Sequence, residues 1–538
     1  MARHLLVLLA AGLWLGACAH KPQPTADLAI TNVYIVDVTA GSAQTALSPR
    51  SSVLVDKGKI TKILPADAAV RAEVILDGAG GYMLPALWDM HMHLFSHPEL
   101  QEIEALLYAA HGVLFVRDMG NNFSGDDIAA LKMRWADNAI PAPEIAAHAG
   151  AIIQHQREIS PADWQQVEIA PEWEVGIGYG QDASIAAAYN LEERGADFLK
   201  PYNGLLASDL NTLTAFADER GVAVGGHVSF AVTVAQAAKA GMRSLEHARM
   251  LPFDCSALGP KLRADANAAE ADPDAYRAVA QRRNDPDFLR GVVAGFDDAR
   301  CASHLQAMRD ADMHYVPTHV TREMDARARE PDYEASLPMA YIPGWATADW
   351  EEDFTDYGTL PPEEKQAFKA FLAHGLKVTR LAHEAGVPLM IGTDAGDTAI
   401  FPGFSVYREM AFFKQAGIPA LDILKAATLT PAQFMGRANE EGSVSIGKAA
   451  NVLIVKDNPL ENMSTLRQPF AVVKRGNVWR QADLEAMRAR ARDIAQQSKP
   501  PAQVAMHRCR VHRRKPAFSL FAADDAMSER RSVRAPLR

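Results

Sequence analysis

Cysteine is scarce in this chain. Its 538 residues hold four, Cys18, Cys255, Cys301 and Cys509. None sit in a C-x-x-C pair, which argues against a thiolate zinc site. Cys255 and Cys301 can pair in an oxidising compartment or remain two buried thiols, and the sequence leaves both open. An excess of positive charge is also missing. The net charge of -11 gives no support to nucleic-acid binding, which needs a basic face. The apolar run Leu5–Leu15 falls short of the roughly 20 residues a membrane span requires. No fixed-length repeat is present, which argues against a solenoid. What remains is a 48% hydrophobic, 22% charged chain, enough to build a large globular core.

The N-terminus, "MARHLLVLLAAGLWLGAC", has a short basic start at Arg3 and His4 before its apolar run. That pattern fits a secretory signal over 1–17. Leu15, Gly16, Ala17 and Cys18 resemble a bacterial lipobox, so Cys18 is the expected lipidation site. An ordinary signal cut near Ala17 or Ala19 is the alternative. Lipid would anchor the protein without a span. Residues 18–28 then read as a Pro-containing tether. The expected location is the bacterial cell envelope, as a periplasm-facing lipoprotein or in the periplasm.

Short β-branched strands occupy both ends of the ordered chain. "AITNVYIVDV", a hairpin over Ser51–Leu64 turning at Lys57-Gly58, and "AEVILDGAGGYMLPAL" lie early; "NVLIVKDNPL" and "FAVVKRGNVW" lie late. They predict one small composite β-sandwich from 29–84 and 436–484. Between them eight apolar strand candidates alternate with helical stretches. The eight are "LPALWDMHMHL", "HGVLFVRDMG", "PEIAAHAG", "GADFLKPYN", "GVAVGGHVS", "GMRSLEHAR", "DMHYVPTHV" and "GVPLMIGTDAG". Repeated strand-then-helix units predict an α/β fold, a (β/α)8 TIM barrel over 85–435. Two spacings exceed a single crossover, about 251–311 and 321–384. They read as helical insertions forming a substrate lid. Residues 485–538 are basic and predict a helix followed by a disordered tail.

Chemistry-bearing side chains recur at the strand ends. His91 and His93 stand two apart, so a strand points both the same way. Lys200, His227, His247 and Asp394 each close another apolar strand. A polar residue at the C-terminal end of a barrel strand reads as catalytic. Imidazole and carboxylate are ordinary ligands for zinc and its neighbours. Arg117 and Asp118 end the second barrel strand and read as a structural pair beneath the site. His148, His155, Tyr202 and His319 lie at or after strand ends and are candidates to touch substrate, His319 foremost.

With these residues in order, the sequence resembles the amidohydrolase superfamily of metal-dependent hydrolases. "LPALWDMHMHL" is similar to its first-strand H-x-H signature, and "VRDMG", "GGHV", "SLEHA" and "GTDAG" follow in the expected order. The resemblance covers roughly Asp27 to Gln481. It implies that His91 and His93 hold one divalent metal together with Asp394, and that His227 and His247 hold a second. Lys200 falls where binuclear members carry a lysine carboxylated by carbon dioxide, which bridges two cations, and the expected metal is zinc. Pro201, after Lys200, and Asn451, where the late motif usually has aspartate, depart from the pattern.

The implied reaction is attack of a metal-bound hydroxide on an amide, with Asp394 as base and then acid. The most similar members include Xaa-Pro-type dipeptidases and N-acyl amino acid hydrolases, implying a small peptide or acylated amino acid as substrate. Alternatives are a cyclic amide or imide, as in imidazolonepropionase-like members, a phosphotriester or lactone, and a surface lipoprotein that binds without catalysis. The expected partners are a small-molecule substrate and, through the lipid anchor alone, a membrane. Nothing in the sequence decides for or against a homo-oligomer.

Overall fold

The computed structural model describes residues 26–500, apart from 96, 122, 138–139, 156–173, 178–182, 270–271 and 349. The first strands are β1 (Leu28–Ile35), β2 (Ser51–Asp56), β3 (Lys59–Pro65), β4 (Val74–Asp77) and β5 (Tyr82–Pro85). Lys57 and Gly58 both take positive φ, 50° and 74°, which gives β2 and β3 the two-residue turn a tight hairpin requires. β1 changes partners along its length. Leu28–Thr31 pairs with β4, while Tyr34 and Ile35 pair with β5. The register against β2 shifts between Ile30 and Val33, around Asn32 at φ 59°. Asparagine tolerates that left-handed conformation better than most residues.

Parallel strands follow: β6 (Leu87–Met92), β7 (Val113–Asp118), β8 (Glu144–His148), β9 (Ile152–His155), β10 (Glu174–Ile177), β11 (Phe198–Leu199), β12 (Ala223–Gly226), β13 (Ser244–Glu246) and β14 (His314–Val316). They pair in the orders β6-β7-β8, β9-β10 and β11-β12-β13-β14. Every residue of β6, β7, β13 and β14 is buried, as expected of parallel strands covered on both faces. Helices lie between them, and Gly221 and Gly241 follow two of these helices with φ 66° and 100°, as helix-ending glycines do. The arrangement is a TIM-barrel-like α/β fold.

One expected strand takes another form. "GVPLMIGTDAG" forms no regular strand, only isolated parallel bridges, Tyr315 with Leu389 and Met92 with Ala395. The segment still bonds to neighbours on both sides: Met390 N donates to Tyr315 O at 3.0 Å, and His93 N donates to Ala395 O at 2.8 Å. Close approach explains the irregularity. A Cβ on Gly392 would meet Val316 Cγ1 at 2.5 Å and His91 N at 2.8 Å. Two residues on, Asp394 turns to φ 69°. The β9-β10 pair is an addition that the strand count from sequence omitted.

Both long spacings are helical, running from Met250–Asp254 to Asp298–Asp310 and from His319–Arg327 to Pro362–Glu384. Cys255 and Cys301 form a disulfide that ties the end of the first helix to the helix Asp298–Asp310. Late in the chain come β15 (Val452–Val455), β16 (Ala471–Lys474) and β17 (Asn477–Arg480), then the helix Gln481–Gln497. β15 pairs with β5, so strands from both ends share one sheet, ordered β17-β16-β15-β5-β1-β2-β3. Alternate residues divide its labour. Met83, Ile454 and Val473 pack with Leu28, Ile30 and Val53, whereas Leu84, Leu453 and Val472 join the main core. A one-residue slip would exchange the two sets. No helix among the described residues is long and apolar enough to cross a membrane. Cys18 and the tail beyond residue 500 lie outside the described residues.

Candidate metal centre

β6 is buried end to end, and its last turn delivers two imidazoles. His91 Nδ1 lies 2.9 Å from Glu246 Oε2, and His93 Nδ1 lies 2.7 Å from the Gly120 carbonyl oxygen. An ionised carboxylate and a carbonyl only accept, so each Nδ1 carries the proton. Each Nε2 then turns to Asp394 Oδ1, at 3.3 Å from His91 and 3.2 Å from His93. His91 Nε2 is buried and makes no hydrogen bond.

The other two histidines come from β12 and β13. His227 follows β12, with Nδ1 3.0 Å from Asn203 Oδ1. His247 follows β13, with Nδ1 2.7 Å from Thr318 Oγ1 and 3.8 Å from Asp394 Oδ2. Their Nε2 atoms face each other at 2.8 Å. His247, Asp394 and Thr318 all adopt left-handed backbone, with φ 67°, 69° and 45°. Such conformations cost about 1–3 kcal/mol each and persist where surrounding structure enforces them, often at functional sites.

Lys200 follows β11 and is 1% exposed, with Nζ 5.9 Å from the centre of the Tyr202 ring. Its charge opposes protonation of both His91 and His247. Burial pushes His247 well below the ordinary imidazole value. Burial also opposes a charged His91, yet Asp394 and Glu246 hold its pKa above the usual value. Burial would raise Asp394, but His91, His93 and His247 hold its carboxyl well below the usual range. A carboxylate kept ionised among imidazoles, and an orphaned inward nitrogen on His91, fit a divalent cation. One ligand atom each from His91, His247 and Asp394 falls within 4.8 Å of the others.

Several supporting residues escaped sequence reasoning. Glu246, inside "SLEHA", accepts from Arg117 Nη2 at 2.7 Å and Ser244 Oγ at 2.6 Å besides His91. Arg117 therefore pairs with Glu246 and not with Asp118, because successive residues of β7 point to opposite faces. Asp118 instead accepts from Leu94 N at 2.8 Å and Asn121 Nδ2 at 2.6 Å. Asp89 accepts from Thr393 N at 3.0 Å and Thr393 Oγ1 at 2.6 Å, which pins the residue before Asp394 to β6. Alternation along β13 placed Glu246 opposite to Leu245, but its partner lies 155 residues away, beyond any local signal.

The candidate substrate contacts are placed differently. His148 Nε2 is 2.8 Å from Gly195 O, and its Nδ1 accepts from Gly150 N at 3.2 Å. His319 Nε2 meets Thr379 Oγ1 at 2.9 Å, and burial pushes its pKa down to about 3. Tyr202 stacks on His227, ring centres 4.2 Å apart. None of the three lines the cavity beside the ligand cluster, which Asn203, His227, His247, Arg249, Arg322 and Asp394 do. The side chain of His155 lies outside the described residues.

The family model described as "Amidohydrolase family" matches residues 82–479. Ochratoxinase of Aspergillus niger is 33% identical over 123 residues, which are 22% of this chain and 24% of the relative. The matched stretch thus spans about a quarter of that curated protein. A crystal structure of a Xaa-Pro dipeptidase with bound methionine superposes at TM-score 0.59 and 20% identity, covering 84% of this chain and 99% of that one. A bottromycin amidohydrolase gives TM-score 0.60 and 20% identity, over 87% and 90% of the two chains.

Proposed function

This chain belongs to the amidohydrolase family, and on that premise we propose that it hydrolyses the amide of a small peptide or N-acyl amino acid. The observation that carries the reading is the convergence of His91, His93, His247 and Asp394 on one buried point, with His227 Nε2 against His247. His91, His93 and Asp394 would hold one divalent cation, and His227 and His247 a second; zinc suits the donor set. Lys200, carboxylated by carbon dioxide, would complete it, since a bare ammonium repels cations. Bound there, such metals supply Lewis acidity and lower the pKa of water toward about 7.

The chain's own groups do the rest. Asp394 accepts the proton of the attacking water at a carboxylate oxygen. It returns that proton to the amide nitrogen as the carbon–nitrogen bond breaks. Glu246 and Arg117 fix the His91 tautomer, and Thr318 and Asn203 orient His247 and His227.

The bridges on both sides of residues 388–395 support a closed eight-stranded barrel over 85–435. The shared sheet supports a composite β-sandwich from 29–84 and 436–484. The Cys255–Cys301 disulfide supports export, since disulfides persist in oxidising compartments. A signal over 1–17 and lipid on Cys18 complete that proposal.

Metal content per chain, measured after purification with bicarbonate, tests the site together with a screen of N-acyl amino acids. About two metals and hydrolysis are expected. About one metal would demote Lys200 and favour cyclic-amide chemistry. No metal, even with zinc supplied, would overturn the reading.

A further inference from the structure

Two arginines stand on the cavity wall beside the ligand cluster. Arg249 follows His247 by two residues, and Arg322 lies in the helix His319–Arg327. Both line the cavity shared by His227, His247 and Asp394. Both are nearly buried, at 9% and 8% exposure. Among the described residues their ion-pair partner is Asp325, 2.5 Å from Arg322 Nη1 and 3.9 Å from Arg249 Nη2. The neighbouring Glu323 is taken by Arg327 and Arg408. The other carboxylates on the wall are engaged as well, Glu246 by Arg117 and His91, and Asp394 by the histidines.

That wall therefore carries two guanidiniums against one carboxylate. Arg249 Nε is buried and makes no hydrogen bond, and Arg322 Nε reaches Thr321 Oγ1 at 3.3 Å. Guanidinium does not shed its proton to relieve the imbalance. A buried charge in excess is costly unless an anion joins it. The planar fork suits a carboxylate, which it can bind through two parallel N–H groups.

We propose that Arg249 and Arg322 form the subsite for a carboxylate of the substrate. An N-acyl amino acid, or a peptide cleaved at its free C-terminal residue, carries such a group. This inference rests on the amide-hydrolase reading above. Both arginines line the same cavity as His227, His247 and Asp394, so a carboxylate they hold lies beside the ligand cluster. A cyclic amide or lactone without an anionic group would leave the pair unmatched, and sites built for a polar group reject analogues that lack it.

The test compares matched N-acyl amino acids with their C-terminal carboxamides on the metal-loaded full chain, following release of the amino acid or its amide. The expected kcat/KM ratio of acid to carboxamide is about a hundredfold or more. Arg322→Gln should cut that ratio at least tenfold, mainly through KM, and Arg322→Lys should restore part of it. The double variant Arg322→Gln, Asp325→Asn removes both charges and guards against misfolding from a stranded Asp325. Equal losses on acid and carboxamide, or no preference in the wild type, would overturn the subsite while leaving amide hydrolysis standing. Calorimetric binding of the same N-acyl amino acid to Asp394→Asn separates the two ideas. Binding that Arg322→Gln abolishes, without any turnover by the wild type, would uphold the subsite and sink the hydrolase.

Discussion

Glutamine at position 246 would keep the shape of the side chain and remove its charge. Glu246 is buried, and its two oxygens accept from Arg117 and Ser244 on one side and from His91 on the other. Burial alone would raise its pKa, yet Arg117 and His91 hold the carboxyl below the usual value. Two costs follow from Glu246→Gln. Arg117 is 1% exposed and would lose its ion-pair partner, a change worth about 3–5 kcal/mol of stability for a buried pair. The amide also has one acceptor where the carboxylate had two. If its oxygen stays with Arg117, its NH2 faces His91 Nδ1, which must then offer a lone pair. The imidazole proton moves to Nε2, the atom that looks toward Asp394, and His91 ceases to be a ligand. Metal affinity should fall about 10–100-fold, the usual effect of losing such an outer partner. Competition with a chromophoric chelator measures the affinity, and circular dichroism melting measures the stability. A folded Glu246→Gln protein with wild-type metal affinity would refute the tautomer argument.

Other outcomes follow from the same structure. Asp394→Asn should lower kcat by about a thousandfold or more even with excess zinc, because it removes a ligand and the proton acceptor together; steady-state kinetics at saturating metal checks this. Replacing Cys255 and Cys301 with alanine opens a link spanning 46 residues, for which the chain-entropy model gives about 4 kcal/mol; an unchanged urea midpoint would contradict it. Burial pushes Glu409 up to about 8 from 4.5, so the folded state holds a proton that the unfolded state releases at lower pH. Its contribution is full below about pH 4.5 and is lost as pH rises through 8, by up to about 5 kcal/mol. Glu409→Gln should flatten that slope in denaturant titrations run between pH 5 and 9.

The candidate ligands were legible because each closes an apolar strand, a local pattern that needs no partner to be seen. His91, His93, His227, His247 and Asp394 lie close together in the structure, and Lys200 is buried with its charge bearing on His91 and His247. What could not be read were contacts set by the third dimension. Glu246 looks like one more strand residue until β13 comes to lie where it can reach His91. His319 looks like a strand-end residue placed to touch substrate, but Thr318, one position earlier, turns left-handed and contacts His247, while His319 turns to Thr379. The segment before Asp394 reads as a strand by composition, but packing of Gly392 against His91 and Val316 denies it regular pairing. Cys255 and Cys301 were left open because separation in sequence says nothing of the distance between two thiols.

The pairing of β5 with β15 has a consequence in time. Leu84 lies opposite Leu453, so roughly 370 residues of chain must be made before the edge of β5 meets its partner. At about 5–20 residues per second, a ribosome needs roughly 20 to 70 s to cover that interval. Through it, the nascent chain carries an unpaired strand edge, the feature most prone to wrong association. Synthesis of β15 is thus itself the step that covers the edge of β5. A chain halted before Val452 would be an exposed template, whatever the state of its barrel.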